Sequence, residues 1–237
     1  MSGIVFIISA PSGSGKSTLV NELRKFVAHL RFSISYTTRA PRGSEQDGRE
    51  YRFISREDFE EMIGKGEFLE YADVFGNYYG TARRVLQEAD MEEDVLLDID
   101  VQGASQVKAR TPGSVSIFVL PPSRSELESR LRKRSLSENV HSEEVIRRRL
   151  DTARREIENY PFYDYILVND RLEQSVDQLQ AIVLGERFKH SGEPLTKEQA
   201  RYVAAAEGCL KANMEEKIKN ILASFDVSFT AAFENQR

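Results

Sequence analysis

A single cysteine, Cys209, stands among 237 residues. One thiol cannot close an internal disulfide, and it cannot build a cysteine zinc site. Histidine is nearly as scarce: His29, His141 and His190 are far apart in the chain and form no ligand cluster. Long apolar runs are also lacking. The longest is the short stretch at 4–8, well below the roughly 20 residues of a spanning helix. The amino terminus has no basic-then-apolar layout of a secretory signal, so the chain is expected to stay in the cytoplasm, away from membranes. An excess of positive charge is missing too: 33 Lys and Arg against 38 Asp and Glu leave a formal charge of −5. That balance disfavours nonspecific nucleic-acid binding, so basic clusters are expected to meet small anions or to lie as solvated helix faces. Any metal is expected to arrive with a ligand.

What is present begins near the amino terminus. An apolar strand, Gly3-Ile-Val-Phe-Ile-Ile-Ser9, runs into Ala10-Pro11-Ser12-Gly13-Ser14-Gly15-Lys16-Ser17-Thr18. A polyphosphate tail has to be wrapped by backbone N–H groups, and Gly13 and Gly15 supply the dihedral freedom that such a loop needs. Lys16 would reach the β- and γ-phosphates, Ser17 would offer its hydroxyl to Mg²⁺, and the helix starting near Lys16 would turn its positive end to the anion. The pattern G-x-x-x-x-G-K-[ST] is broken once, by Ala10. A chance Gly/Ser turn would lack the strand before it and the amphipathic helix after it, for which Leu19, Val20, Leu23, Phe26 and Val27 form the expected buried face.

Apolar runs at 4–8, 95–99, 115–120 and 165–168 alternate with helical patterns at 16–29, 103–109, 123–134, 143–158 and 172–188. This alternation predicts an α/β fold with a parallel sheet and helices on both faces. Ser123 with Glu126 reads as a capping box, and Ser142 before Glu143 and Glu144 as an N-cap with acids in the first turn. The segment 36–81 reads differently, with β-like pieces at 51–54, 68–74 and 78–81 around a helix at 56–63. It is expected to be an inserted α+β lobe. Within it Arg39 and Arg42 sit three positions apart in a proline-restrained stretch, with Tyr51, Tyr78 and Tyr79 as phenolic donors. An arginine pair on a loop is usually just solvated, but a phosphate ester serving as phosphoryl acceptor needs such a clamp.

Several motifs together resemble the guanylate kinases, bacterial nucleoside-monophosphate kinases. They are the loop 9–18, Ser33-Ile-Ser-Tyr-Thr-Thr-Arg-Ala-Pro-Arg42, Gly48-Arg-Glu-Tyr-Arg-Phe53, Glu67-Phe-Leu-Glu70, Gly76-Asn-Tyr-Tyr-Gly-Thr81, Leu97-Asp-Ile-Asp-Val-Gln-Gly103 and Val168-Asn-Asp170. Alanine is common at the first loop position in that family, so Ala10 fits the match. The resemblance implies a P-loop NTPase-type three-layer core over 1–35 and 82–190 with a mobile lid at about 130–149, a GMP-binding lobe at 36–81, and a helical extension at 191–237. Carried over residue by residue, it puts the ATP phosphates on loop residues 10–18, places Asn169 at the ATP site, and gives Mg²⁺ to Ser17 with nucleotide and water. For the acceptor it implies that Glu70 takes the guanine donors and Ser35 faces O6. Thr81 and Asp100 come near the base, while Arg39, Arg42, Tyr51 and Tyr79 hold the GMP phosphate. Guanine pairs its O6 acceptor with N1–H and N2–H₂ donors, which suits this set; adenine would leave polar groups unpaired. Asp98 and Asp100 end an apolar strand, where parallel sheets meet ligands. Each also reads as a strand-end turn residue, and their individual roles stay open.

Arg130, Arg134 and Arg149 match lid positions that reach the transferring phosphates. The stripe Ile146, Leu150, Ala153, Ile157 is flanked by both Arg147 and Arg149; the resemblance alone selects Arg149. Together with Lys16 and Arg39 these form the catalytic set implied for direct in-line transfer from MgATP to GMP or dGMP. Two positions depart from the family. Ser135-Leu136 follows Arg134 where Arg-Gly is usual, implying a stiffer or reshaped hinge, and Tyr36 stands where a small residue is common, either narrowing the acceptor site or packing. Two other functions are weighed: a noncatalytic guanylate-kinase-like binding module, which would have an eroded loop and lack lid arginines, and a P-loop kinase for another phosphorylated acceptor, which Glu70 and Ser35 oppose. Beyond a linker at 189–194, a helix is expected over 196–223 with a gap at Gly208, then an unstructured tail from Asp226. The extension could dock on the core, mediate homo-oligomer formation or carry a regulatory contact.

Overall fold

The structure is a computed structural model that describes residues 3–74, 76–89, 93–137 and 142–227. In chain order it begins with β1 (Val5–Ser9), α1 (Lys16–Leu23), β2 (Leu30–Phe32), β3 (Tyr36–Thr37), β4 (Arg52–Phe53), α2 (Arg56–Gly64), β5 (Phe68–Val74) and β6 (Asn77–Ala82). Next come α3 (Arg84–Gln87), β7 (Asp94–Asp98), α4 (Val101–Arg110), β8 (Val115–Leu120), α5 (Arg124–Ser137) and α6 (Glu143–Ile157). The chain continues through β9 (Tyr165–Val168), α7 (Leu172–Ser191), α8 (Lys197–Glu207) and α9 (Glu215–Ser224). Two compact units result: Met1–Ser9 with His29–Val115, and Ala10–Ala28 with Ser116–Arg237.

In the first unit β7 is flanked by β2 and β1, all parallel, with Val5 opposite Val95 and Leu30 opposite Asp94. Strands covered on both faces read as continuous apolar runs, and Phe6, Ile7, Ile8, Leu96 and Leu97 are fully buried. The buried Asp94 carboxylate closes the strand entrance by accepting from Ile4 N–H at 2.7 Å. The helical spacing over 16–29 conceals β2. The helix instead ends at Leu23, where i→i+3 bonds tighten its last turn (Lys25 N–H to Glu22 O at 3.0 Å). Phe26, expected on the buried face, is therefore 58% exposed.

A second sheet in this unit has the order β4-β3-β6-β5. Helix α2 covers one of its faces. Ser55 caps the helix by accepting from Asp58 N–H, and Phe59 stacks on Phe68 at 4.3 Å and Tyr78 at 5.2 Å between ring centroids. Tyr36 belongs to this apolar face: it is buried with Phe59, Phe68 and Ala82, and its hydroxyl accepts from Arg84. Strand alternation settles the choice left by its sequence. Tyr36 packs against Phe68, and its neighbours Ser35 and Thr37 take the other face.

The second unit is built on parallel strands β8 and β9, with Ile117 opposite Tyr165 and Leu120 opposite Val168. Helices α1 and α7 pack together, as do α5 and α6. α6 buries Ile146, Leu150, Ala153 and Ile157 and is capped by Ser142, which accepts from Val145 N–H. Helix α5 is capped by Ser123, which accepts from Glu126 N–H at 3.2 Å.

The extension docks on its own unit. Thr196 and Gln199 form a reciprocal capping box at the start of α8. α8 packs on α7 so closely that a Cβ on Gly185 would lie 3.1 Å from the Ala206 Cβ. Residues 209–211 then run antiparallel to β9: Leu210 pairs with Tyr165, and Ile166 N–H donates to Cys209 O at 2.8 Å. Cys209 is buried, and burial pushes its thiol pKa up. Ile218, Ile221, Leu222, Phe225 and Val227 bury the last stretch, and Ser224 Oγ accepts from Arg124 N–H at 3.1 Å. Of the expected unstructured tail, 228–237 lies outside the described residues. No helix among the described residues is long and apolar enough to cross a membrane.

Candidate functional site

The glycine-rich loop 10–18 belongs to the second unit. Gly13 and Gly15 hold φ of 93° and 87°, a left-handed backbone that lets successive N–H groups point inward. Gly15 also caps α1, so Lys16, Ser17 and Thr18 open the helix at its positive end. The loop is propped by Asn169, which is buried behind it: its Nδ2 donates to Ser14 O at 2.7 Å, and its own N–H donates to Leu120 O at 2.8 Å. A Cβ on Gly15 would stand 2.4 Å from that amide nitrogen. Arg130 joins the same knot through Asn169 O at 3.1 Å and Ser14 O at 3.4 Å, its Nε held by Glu126 at 2.9 Å.

Arg149 is half-buried and donates to Ser135 Oγ at 3.4 Å, whereas Arg147 and Arg148 are exposed. Periodicity alone did not make this distinction. Ser135 is buried within α5, which runs on to Ser137 instead of breaking where a glycine is usual. Arg134 is exposed one residue earlier. Residues 138–141 of the expected lid lie outside the described residues.

The acceptor candidates belong to the first unit. Glu70 and Thr81 are opposite each other on β5 and β6, as are Thr37 and Tyr79 on β3 and β6. Residues directly opposite share a face. Ser35 and Thr81 meet at 3.3 Å between hydroxyls, and both are buried. Glu70 reaches this face because of a register shift between Phe68 and Glu70. In a regular strand, positions 68 and 70 would point the same way, and the carboxylate would enter the Phe59 cluster; one extra residue reverses it. The carbonyls of the bulge are satisfied by arginines, Phe68 O by Arg83 Nε at 3.1 Å and Leu69 O by Arg110.

Glu70 is only 3% exposed, and its carboxylate lies against α4 at Gly103, where a Cβ would be 2.3 Å from Oε2. Gly103→Ala would ordinarily favour a helix interior. Here it has to push the carboxylate aside. We expect a ligand held by this carboxylate to bind about tenfold more weakly, or worse, in a direct titration, with ligand binding at loop 10–18 little changed, because the displacement acts at Glu70 alone.

Asp98 ends β7, and Asp100 caps α4 by accepting from Gly103 N–H at 2.8 Å. Arg39 is 8% exposed; its Nε donates to Tyr79 Oη at 3.0 Å, and its guanidinium lies 5.0 Å from the Tyr51 ring centroid. The Arg42 side chain is exposed, but its backbone N–H is tied to Glu45 at 2.8 Å. The structure thus gathers Ser35, Arg39, Tyr51, Glu70, Tyr79 and Thr81 around one sheet. Glu45 is silent in the sequence, because a lone glutamate in a polar loop carries no periodic or motif signal.

Comparison with known proteins bears on both halves. The family model described as guanylate kinase matches residues 3–186. A guanylate kinase of Koribacter versatilis is 58% identical over 226 residues, 95% of this chain and 97% of that one. One of Geobacter metallireducens is 50% identical over 188 residues, 79% and 91% of the two chains. The crystal structure of guanylate kinase from Anaplasma phagocytophilum superposes with a TM-score of 0.65 at 35% identity, covering 78% of this chain and 86% of that one. With a family match spanning most of the chain and relatives alike over nearly their full length, the protein belongs to the guanylate kinase family.

Proposed function

We propose that the protein transfers the γ-phosphoryl group of ATP to GMP, and to dGMP, giving ADP and GDP or dGDP. The observation that carries the acceptor assignment is the buried Glu70 carboxylate, set across from the Ser35–Thr81 hydroxyl pair on the sheet that also holds Arg39 and Tyr79. A carboxylate accepts from guanine N1–H and N2–H₂, and a hydroxyl donates to O6. Arg39, Arg42, Tyr51 and Tyr79 would hold the acceptor phosphate, with Asp100 near the base and Asp98, at the end of β7, bordering the acceptor.

On the donor side, loop residues 10–18 would wrap the triphosphate with Lys16 at its β- and γ-phosphates. Arg130, Arg134 and Arg149 would neutralise the moving group, while Asn169 keeps the loop in shape. Mg²⁺ prefers oxygen ligands, and the exposed Ser17 hydroxyl at the start of α1 is such a donor. The residues present fit the ion as a companion of the nucleotide, with Ser17 as its protein ligand. When bound, Mg²⁺ offsets charge on the β- and γ-phosphates. The acceptor phosphate is already an anion, so no residue has to act as general base. The reading places the reaction in the cytoplasm, with small-molecule substrates and no role for nucleic acid or membrane.

An ADP-release assay with MgATP and, in turn, GMP, dGMP, AMP, UMP and CMP tests the assignment. Turnover is expected with GMP and dGMP only. Equal use of AMP would sink the guanine reading, and ATP binding without acceptor-dependent turnover would favour a binding module.

A further inference from the structure

A guanidinium carries five N–H donors in one plane, so its partners fix which edge remains for a ligand. On Arg39, Nη1 donates to Ala40 O at 2.8 Å and to Glu45 Oε2 at 2.7 Å, Nη2 to Glu45 Oε1 at 2.8 Å, and Nε to Tyr79 Oη at 3.0 Å. Glu45 therefore takes the end-on edge, between Nη1 and Nη2. Among the described residues the remaining Nη2 N–H has no partner, and it lies on the side-on edge next to Nε and the Tyr79 hydroxyl. Glu45 does more than pair. Its Oε2 also accepts from Arg42 N–H at 2.8 Å, and its own N–H donates to Arg42 O at 2.9 Å. A single carboxylate thus ties the side chain of one clamp arginine to the backbone of the other.

We infer that Glu45 is a positioning residue for the acceptor phosphate, holding Arg39 by its end-on edge so that the remaining Nη2 N–H and the Tyr79 hydroxyl, which accepts from Nε and keeps its own O–H to donate, are presented to the phosphate together. The inference rests on the reading of Arg39 and Tyr79 as phosphate ligands. The geometry sets this pair apart from a surface ion pair, which contributes little: it is bidentate, and the Arg39 side chain is 8% exposed against 22% for Glu45. Burial works against the Glu45 charge, but the Arg39 hydrogen bond and the Arg42 N–H outweigh it and hold the carboxyl below its ordinary range.

Binding of GMP and of guanosine to Glu45→Gln and Glu45→Asp, with steady-state kinetics on the full chain, tests this. Glu45→Gln should weaken GMP binding and raise its KM about tenfold, while guanosine binding and KM for ATP stay within about twofold. Glu45→Asp, which retains the charge, should recover part of the loss. Equal weakening of GMP and guanosine would make Glu45 merely structural, and tighter GMP binding would make it a competitor for the phosphate seat; either overturns the inference. Failure of the underlying reading shows separately: Arg39→Lys leaving the preference for GMP over guanosine intact would mean that the phosphate is not held there. A stability readout is independent of ligand. Because the folded pKa is depressed, the stability margin of the wild type over Glu45→Gln should be full above the ordinary glutamate pKa and disappear as pH falls through the lower folded value. A margin absent at neutral pH would overturn the ion pair.

Discussion

Replacing Lys16 by alanine is expected to lower kcat about a thousandfold, or about 4 kcal/mol of transition-state stabilisation, the scale of losing one preorganised charge at the reacting group. The loop itself should survive the change. Its shape comes from Gly13 and Gly15 at positive φ and from the Asn169 amide bonded to Ser14 O, none of which involves the lysine ammonium. The loss should therefore appear in turnover, with GMP binding to the acceptor residues nearly unchanged. Measured kcat, KM for each substrate and equilibrium binding of GMP separate the two effects. A variant with near-normal kcat and a raised KM for ATP would show that Lys16 contributes uniform binding instead.

Replacing Glu70 by glutamine should have a large effect on the other substrate. The side chain keeps its shape, but an amide nitrogen would then face the guanine N–H groups at a residue only 3% exposed, and the charge proposed to meet two donors would be gone. Sites built to bond a substrate polar group discriminate strongly because failure leaves buried groups unpaired. We expect kcat/KM for GMP to fall about a hundredfold or more, with KM for ATP within about twofold of wild type. The preference for GMP over AMP should narrow in the same experiment. An undiminished preference would move base recognition away from β5.

Much of this architecture is legible in the chain. The apolar runs at 95–99, 115–120 and 165–168 become β7, β8 and β9 within a residue, since strands buried on both faces have little choice of composition. β2 escapes because Leu30–Phe32 is too short to show a period. Phe26 misleads because helical spacing continues past the point where the helix stops. At the acceptor residues, Glu70 is recognisable from its motif, but the face it occupies depends on the extra residue at the bulge, a property of pairing and not of local sequence. Glu45 and Gly103 are hidden for a related reason: their importance lies in what they touch, six and thirty-three residues away in Arg39 and Glu70.

The antiparallel bridge that residues 209–211 make with β9 carries a consequence for how the molecule is made. During synthesis β9 leaves the ribosome well before the segment that covers its outer edge. For that interval an apolar strand stands with unpaired N–H and C=O groups, the arrangement most open to pairing with another chain. Only when residues 209–211 have followed is that edge paired. A chain stopped early could contain loop 10–18 and the whole sheet around Ser35, Arg39 and Glu70 and still carry that uncovered edge.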